Sequence, residues 1–156
     1  MADSRLSISE EIYSDFVLPY LDGKDVLNLS SDGERADLFM VALALGVKAG
    51  IRTPIKKSRG FIQNSALETK PYYLSYIRAV AISELRKTGE ENLVANTDIV
   101  YKIAEEYANT GFEELKKMLP PSERYDSEAL VLRLIEGLQD EYQALKSQAN
   151  VPQVEQ

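Results

Sequence analysis

Six cationic residues in the middle of the sequence have the types and spacing that best suit contact with an anionic partner. They fall in a segment, residues 48–78, that carries a local charge of +6 in a chain whose net charge is −7. Lysines and arginines along an exposed loop can follow a phosphate backbone, through contacts that do not depend on base sequence and that weaken in salt. We therefore predict that DNA or RNA contacts Lys48, Arg52, Lys56, Lys57, Arg59 and Lys70.

Three tyrosines follow these cations, at positions where their rings could stack on bases: Tyr72, Tyr73 and Tyr76. Two other interpretations stay open. Acids of the same chain or of a partner could neutralise the cations while the tyrosines join the core, or the cations could meet an anionic small ligand or a membrane surface. A nucleotide-binding P-loop is not indicated, because the run KKSRG at residues 56–60 lacks the GxxxxGK[ST] order.

The chain contains neither cysteine nor histidine, which removes most catalytic chemistry. It has no thiolate nucleophile or ligand, no Ser-His-Asp triad and no typical zinc catalysis. Ser58 lies beside Lys56 and Lys57, as a Ser-Lys nucleophile would require, but a loop seldom holds the geometry of that mechanism. We predict a non-enzymatic protein that needs no cofactor and no metal.

Four pairs of glutamates are adjacent in the sequence. Neighbouring side chains on a helix point about 100° apart, so the two carboxylates of a pair cannot hold one metal ion or form an acid–base pair. We expect solvated helix faces at Glu10-Glu11, Glu90-Glu91, Glu105-Glu106 and Glu113-Glu114.

The element around which the chain is organised is the apolar run LFMVALALGV, residues 38–47. Ten apolar residues rich in Ala and Leu predict a helix that is buried on all sides. Ser31 or Asp32 is placed to cap its start, and Gly50 is placed to end it in a left-handed conformation. Gly46 lies inside the helix, where glycine is unfavourable, and this predicts the close approach of another backbone.

Caps and apolar spacing predict a mainly α, compact single domain of five to six helices around this central helix. The first six residues are expected to fray, and residues 52–69 to form a long loop with a short extended piece at 60–63. A short strand at 26–29 has little support from its length. Gly111 is expected to end the helix that Asn96 or Thr97 begins. We predict a core at 1–119 with a basic loop at 48–70, a C-terminal helix at 120–147 and a disordered tail at 148–156.

The C-terminal helix carries a long leucine-rich stripe that needs a partner surface. The stripe packs either on the chain's own core or on a second helix, as a homodimer or with another protein. The alternative function is therefore a protein-interaction adaptor that uses this helix and an acidic surface. Its predicted contact residues are Leu130, Leu134, Leu138, Tyr142 and Leu145.

The N-terminus lacks an apolar core of signal-peptide length, and the longest apolar run is about half of what a bilayer requires. We therefore expect a cytoplasmic protein that makes no membrane contact.

The run DLFMVALALGVKAGIRTPIKK, residues 37–57, resembles the small proteins associated with Dnd (DNA phosphorothioation) systems. In both, an apolar helix that ends in glycine is followed by a basic turn with a proline. Residues 100–111, VYKIAEEYANTG, resemble uncharacterised prokaryotic proteins. The first resemblance implies a prokaryotic accessory or regulatory protein of DNA modification or restriction, and it carries over no catalytic or binding residue.

Overall fold

The computed structural model describes residues 5–21, 28–119 and 126–149. The predicted mainly α fold is confirmed. The elements, in chain order, are strand β1 (Arg5–Ser9), helix α1 (Glu10–Ile12), a π-helical turn (Tyr13–Val17), a 3-10 turn (Leu18–Tyr20), α2 (Asp32–Ala49), β2 (Ser58–Gln63), α3 (Asn64–Glu68), α4 (Pro71–Arg86), a second 3-10 turn (Glu91–Ala95), α5 (Thr97–Met118) and α6 (Ser127–Ala149). In the described part of the chain, no helix is both long and apolar enough to cross a bilayer.

Helix α2 begins and ends where the sequence predicts. The Ser31 hydroxyl accepts a hydrogen bond from the Glu34 amide at 3.3 Å, and Gly50 ends the helix with a φ of 69°. The expected burial on all sides is wrong, because Val41 and Val47 are each 36% exposed. The apolar run buries one face against the core, and its other face is only partly covered.

Helices α2 and α5 form the centre of the core, and they cross at two glycines. A β carbon on Gly46 would lie 1.8 Å from the carbonyl oxygen of Tyr107, and one on Gly111 would lie 1.6 Å from that of Ala42. The backbone approach predicted from Gly46 is confirmed. The expected helix end at Gly111 is wrong, because α5 continues to Met118. This glycine makes room for α2.

A two-stranded antiparallel sheet closes one side of the core. β1 pairs with β2, and an irregularity in the register after Leu6 leaves Phe61 as an extra residue, so that Phe61 and Ile62 are both buried. The expected frayed terminus is therefore wrong for residues 5 and 6, and the loop predicted at 52–69 contains β2 and α3. Extended structure at 60–63 is confirmed.

The remaining predicted boundaries have mixed outcomes. Ser9 caps the first helical segment, where its hydroxyl accepts a hydrogen bond from the Ile12 amide at 3.1 Å, and this segment continues as π-helical and 3-10 turns. Asn96 caps α5 as predicted. The possible strand at 26–29 lies largely outside the described residues. Disorder is wrong for residues 148 and 149 of the predicted tail at 148–156, because α6 includes them, and the rest of that tail lies outside the described residues.

Candidate functional site

The first half of the predicted basic loop is a strap fixed across α5. The Thr53 amide donates to the Glu106 carbonyl oxygen at 3.1 Å, and Asn109 Nδ2 donates to the Thr53 carbonyl oxygen at 3.2 Å. The Thr110 hydroxyl donates to the Ile51 carbonyl oxygen at 2.9 Å. These bonds explain why α5 buries three polar side chains, Glu106, Asn109 and Thr110, on a face that is otherwise apolar.

Arg52 anchors this strap through two carboxylates. Its Nε and Nη2 atoms donate to one oxygen of Glu106 at 2.9 and 2.6 Å, and its Nη1 donates to Glu84 at 3.3 Å. Hydrogen bonds from Lys87 and from the Tyr107 hydroxyl lower the pKa of Glu84 to about 2. Arg52 therefore belongs to a largely internal charge network, which leaves its guanidinium little capacity for a phosphate.

Three more of the six predicted cations are paired within the chain. Lys48 forms an ion pair with Glu141 of α6, and Lys70 pairs with Asp37 at 2.5 Å. Arg59 pairs with Glu10 at 3.1 Å and lies over the Tyr13 ring, 3.8 Å from its centroid. Four of the six predicted cations are thus paired with acids of the same chain. This agrees with the alternative interpretation that acids of the same chain or of a partner neutralise them.

Lys56 and Lys57 differ from the other four. Both are exposed, and neither forms an ion pair with another described residue. They line a surface hollow of about 330 Å³ together with Glu10, Glu11 and Glu113, so their surroundings are of mixed charge. Of the predicted tyrosines, Tyr72 and Tyr76 are exposed, while the Tyr73 hydroxyl donates to Asp37 at 2.5 Å.

The expectation that adjacent glutamates form solvated faces is wrong for Glu105 and Glu106. Glu106 is buried and holds Arg52, as described above. Glu105 points instead to β1, where it accepts a hydrogen bond from the Ser7 amide at 2.7 Å, and burial raises the pKa of Glu105 to about 7. Glu105 and Glu106 are therefore adjacent in the sequence but make different contacts, on two sides of α5. Among the described residues, no group of acids is arranged to hold a metal ion.

Helix α6 divides its predicted stripe between the core and solvent. Leu130 is completely buried and Leu134 packs against the core. Leu138, Tyr142 and Leu145 are 67%, 64% and 64% exposed. The predicted contact residues are thus separated into a covered edge and an open one, which a single stripe in the sequence could not reveal.

The covered edge of α6 joins α2 along an apolar groove of about 370 Å³. Val41, Ala44 and Leu45 of α2 line one side, and the Lys48–Glu141 ion pair lies among its lining residues. We call the row of α6 that faces α2 the inner edge: Leu130, Leu134, Gly137 and Glu141. Leu138 also lines this groove, although two-thirds of its side chain is exposed. We call the neighbouring row, which is exposed except for the half-buried Val131, the outer seam: Val131, Ile135, Leu138, Tyr142, Leu145 and Ala149.

Sequence reasoning missed Glu84 and Glu106 as the carboxylates that fix the basic loop. They lie 32 and 54 residues from Arg52 in the sequence, and no local pattern links them. The predicted contact residues also did not include Val131 and Ile135, which belong to the outer seam. The signal for that seam was present, since its members are spaced 4, 3, 4, 3 and 4 residues apart.

The comparisons with known proteins identify a family for most of the chain. The family described as DNA sulphur modification system-associated protein 4 matches residues 32–151, from the start of α2 past the end of α6. No curated protein and no solved structure matches the chain. The match includes the segment that resembles Dnd-associated proteins, and it confirms that resemblance. The chain therefore belongs to the family of DNA sulphur modification system-associated protein 4.

Proposed function

We propose that this protein is a non-enzymatic accessory component of a DNA sulphur modification system, and that it acts as an adaptor through α6. The observation that carries the proposal is the outer seam, where three large apolar side chains are each about two-thirds exposed. The largest contiguous apolar patch on a soluble protein is often a binding surface. The family description supports the accessory role.

The internal pairing of the cations favours a protein partner over a nucleic acid. An interface of two helices obtains its free energy from apolar burial, which the seam offers. Phosphate binding needs cations free to replace counterions, and only Lys56 and Lys57 of the predicted six lack an acid partner among the described residues.

The test uses the full chain and each purified protein of the sulphur modification system from the same host. Binding is measured for the unchanged protein and for Leu138→Asp/Tyr142→Asp in the seam. The control is Ala144→Asp/Ser147→Asp, on the exposed face of α6 away from the seam. The adaptor proposal predicts that at least one protein binds, and that the seam variant alone loses this binding. If none of these proteins binds the unchanged chain, the proposal fails.

Nucleic-acid contact remains a second candidate, and the exposed pair Lys56 and Lys57 favours it. A mobility-shift titration across salt concentrations tests it with the double variant Lys56→Glu/Lys57→Glu. Two phosphate contacts predict a shift at low salt that disappears in the variant, with a salt slope of about −2 in log–log form. Absence of binding at low salt, or unchanged binding by the variant, removes this candidate.

A further inference from the structure

The outer seam repeats with the spacing of a coiled coil over the whole of α6. Its six residues alternate between steps of four and three, which is the heptad pattern of positions that face a partner helix. The inner edge lies beside it on the same helix and is already fixed to the core. The seam cannot turn inward, because that rotation would withdraw Leu130 from the core, where it is fully buried. No described residue of the same chain covers the seam, so we assign its occupant to another chain.

Resting on the proposed function, in which the outer seam is an interaction surface, we propose that a second copy of this chain occupies the seam when no sulphur modification protein is bound there, and that the two α6 helices then pair antiparallel. In the antiparallel register centred on position 140, Leu138 of one copy meets Tyr142 of the other. Ile135 then meets Leu145, and Val131 meets Ala149, so all six positions find apolar partners. Each layer pairs one a-type with one d-type position of the heptad.

The same register accounts for Leu132, the large exposed side chain of α6 that lies outside the seam. Leu132 is 53% exposed, and the register places it beside Lys146 of the second copy, whose aliphatic stem can cover it while the ammonium group stays in water. Gln139 meets its own counterpart near the two-fold axis, without a charge conflict.

The position of Tyr142 also favours the antiparallel pair. In a parallel pair each residue of the seam faces itself, so two tyrosine rings would share one layer at the axis, with their hydroxyls crowded there. Opposite Leu138, the ring can lie over a smaller side chain and its hydroxyl can reach the water at the edge of the interface. Glu141 lies on the flank of the seam, and Lys48 of the same chain already neutralises it.

The exposed area of the outer seam approaches what a specific, reversible dimer buries. From their exposed fractions, Ile135, Leu138, Tyr142 and Leu145 leave on the order of 450 Å² of apolar surface per copy, a patch of the size that is often functional in monomers. Two copies then bury about 900 Å² before Leu132 and the lysine stems are added, close to the roughly 1,000 Å² that a biological interface should exceed.

Sedimentation equilibrium of the full chain tests the pairing. We expect a concentration-dependent mass that approaches twice that of the chain. Leu138→Asp/Tyr142→Asp should weaken self-association by roughly 100-fold or more, because it places four carboxylates in an apolar interface. Ala144→Asp/Ser147→Asp should leave the mass unchanged, and circular dichroism should show that both variants stay folded, since every substituted side chain is exposed.

Engineered cysteines report the orientation, because the natural chain has none. An antiparallel pair puts Ile135 opposite Leu145 and separates the two copies of Ile135 by about 15 Å, too far for a disulfide. Oxidation should therefore crosslink a mixture of the Ile135→Cys and Leu145→Cys proteins, and neither protein alone. Crosslinking of Ile135→Cys alone overturns the antiparallel arrangement, and a monomer at every concentration overturns self-pairing.

The outcomes also separate this inference from the adaptor proposal. A monomer that still binds a sulphur modification protein through the seam refutes the self-pairing and leaves the adaptor proposal intact. A dimer that binds none of these proteins refutes only the adaptor proposal.

Discussion

The backbone carbonyl of Tyr107 lies against the α carbon of Gly46, with its oxygen only 1.8 Å from where a β carbon would be. Gly111 repeats this relationship one turn further along α5 against Ala42. Because the two backbones touch, α2 and α5 behave as one rigid unit. The strap, the Arg52 network and the α2 side of the groove are all built on this unit.

We predict that Gly46→Ala destabilises the protein strongly. The added methyl group overlaps a backbone atom that cannot rotate away, so the loss in unfolding free energy should be about 3 kcal/mol or more, despite the better helix propensity of alanine. Urea denaturation measures this loss. Gly137→Ala is the matched control, because nothing lies within 4 Å of its β-carbon position and α6 should gain about 0.5–1 kcal/mol. Equal effects of the two substitutions would contradict the close backbone approach.

Removal of the strap's anchor should also destabilise the fold. Arg52→Met keeps the aliphatic stem but leaves Glu106, whose side chain is 10% exposed, without its cation. We expect the unfolding free energy to fall by about 2–3 kcal/mol. Loss of a fully buried ion pair would cost more, but Arg52 is partly exposed. Arg86→Met removes an exposed pair with Glu91 at 3.8 Å and should change stability by less than about 0.5 kcal/mol. The two variants are compared by thermal and urea denaturation.

Glu105 should make folding stability depend on pH near neutrality. Burial raises the pKa of this carboxyl in the folded protein to about 7, above the ordinary value of 4.5 expected in the unfolded chain. Between these two values the folded state holds a proton that the unfolded state has released, so the contribution of Glu105 to stability falls as pH rises from about 4.5 to 7. Unfolding free energies at a series of pH values should show this slope, and Glu105→Gln should remove it. An identical pH profile for the two proteins would contradict the assignment.

Much of the fold is readable from local sequence signals. Ser31, Gly50 and Asn96 act as caps through short-range chemistry, and Gly46 is an unfavourable residue whose cost signals a tertiary contact. The structures that were missed depend on residues far apart in the chain. β1 is a strand only because β2 pairs with it more than fifty residues later, and Gly111 resembles a helix end until α2 is placed against it.

The candidate site shows the same limit. The cations were easy to find, but their acid partners lie on other elements, so their neutralisation cannot be read from the sequence. The apolar stripe of α6 was also found, yet its division into inner edge and outer seam depends on where α2 lies. An apolar stripe too wide for one helix–helix contact indicates that the helix packs against two surfaces. Only the structure shows that α2 is one of these surfaces in α6.

Hydrogen exchange along α6 tests most directly whether the outer seam is an interaction surface. A helix held by one edge opens readily, and binding at its other edge must suppress that opening. The account predicts that amide protection at residues 135–149 increases with protein concentration, or on addition of a sulphur modification protein, and that Leu138→Asp/Tyr142→Asp abolishes the increase. Protection that is the same at every concentration, with every added protein and in the variant would contradict it.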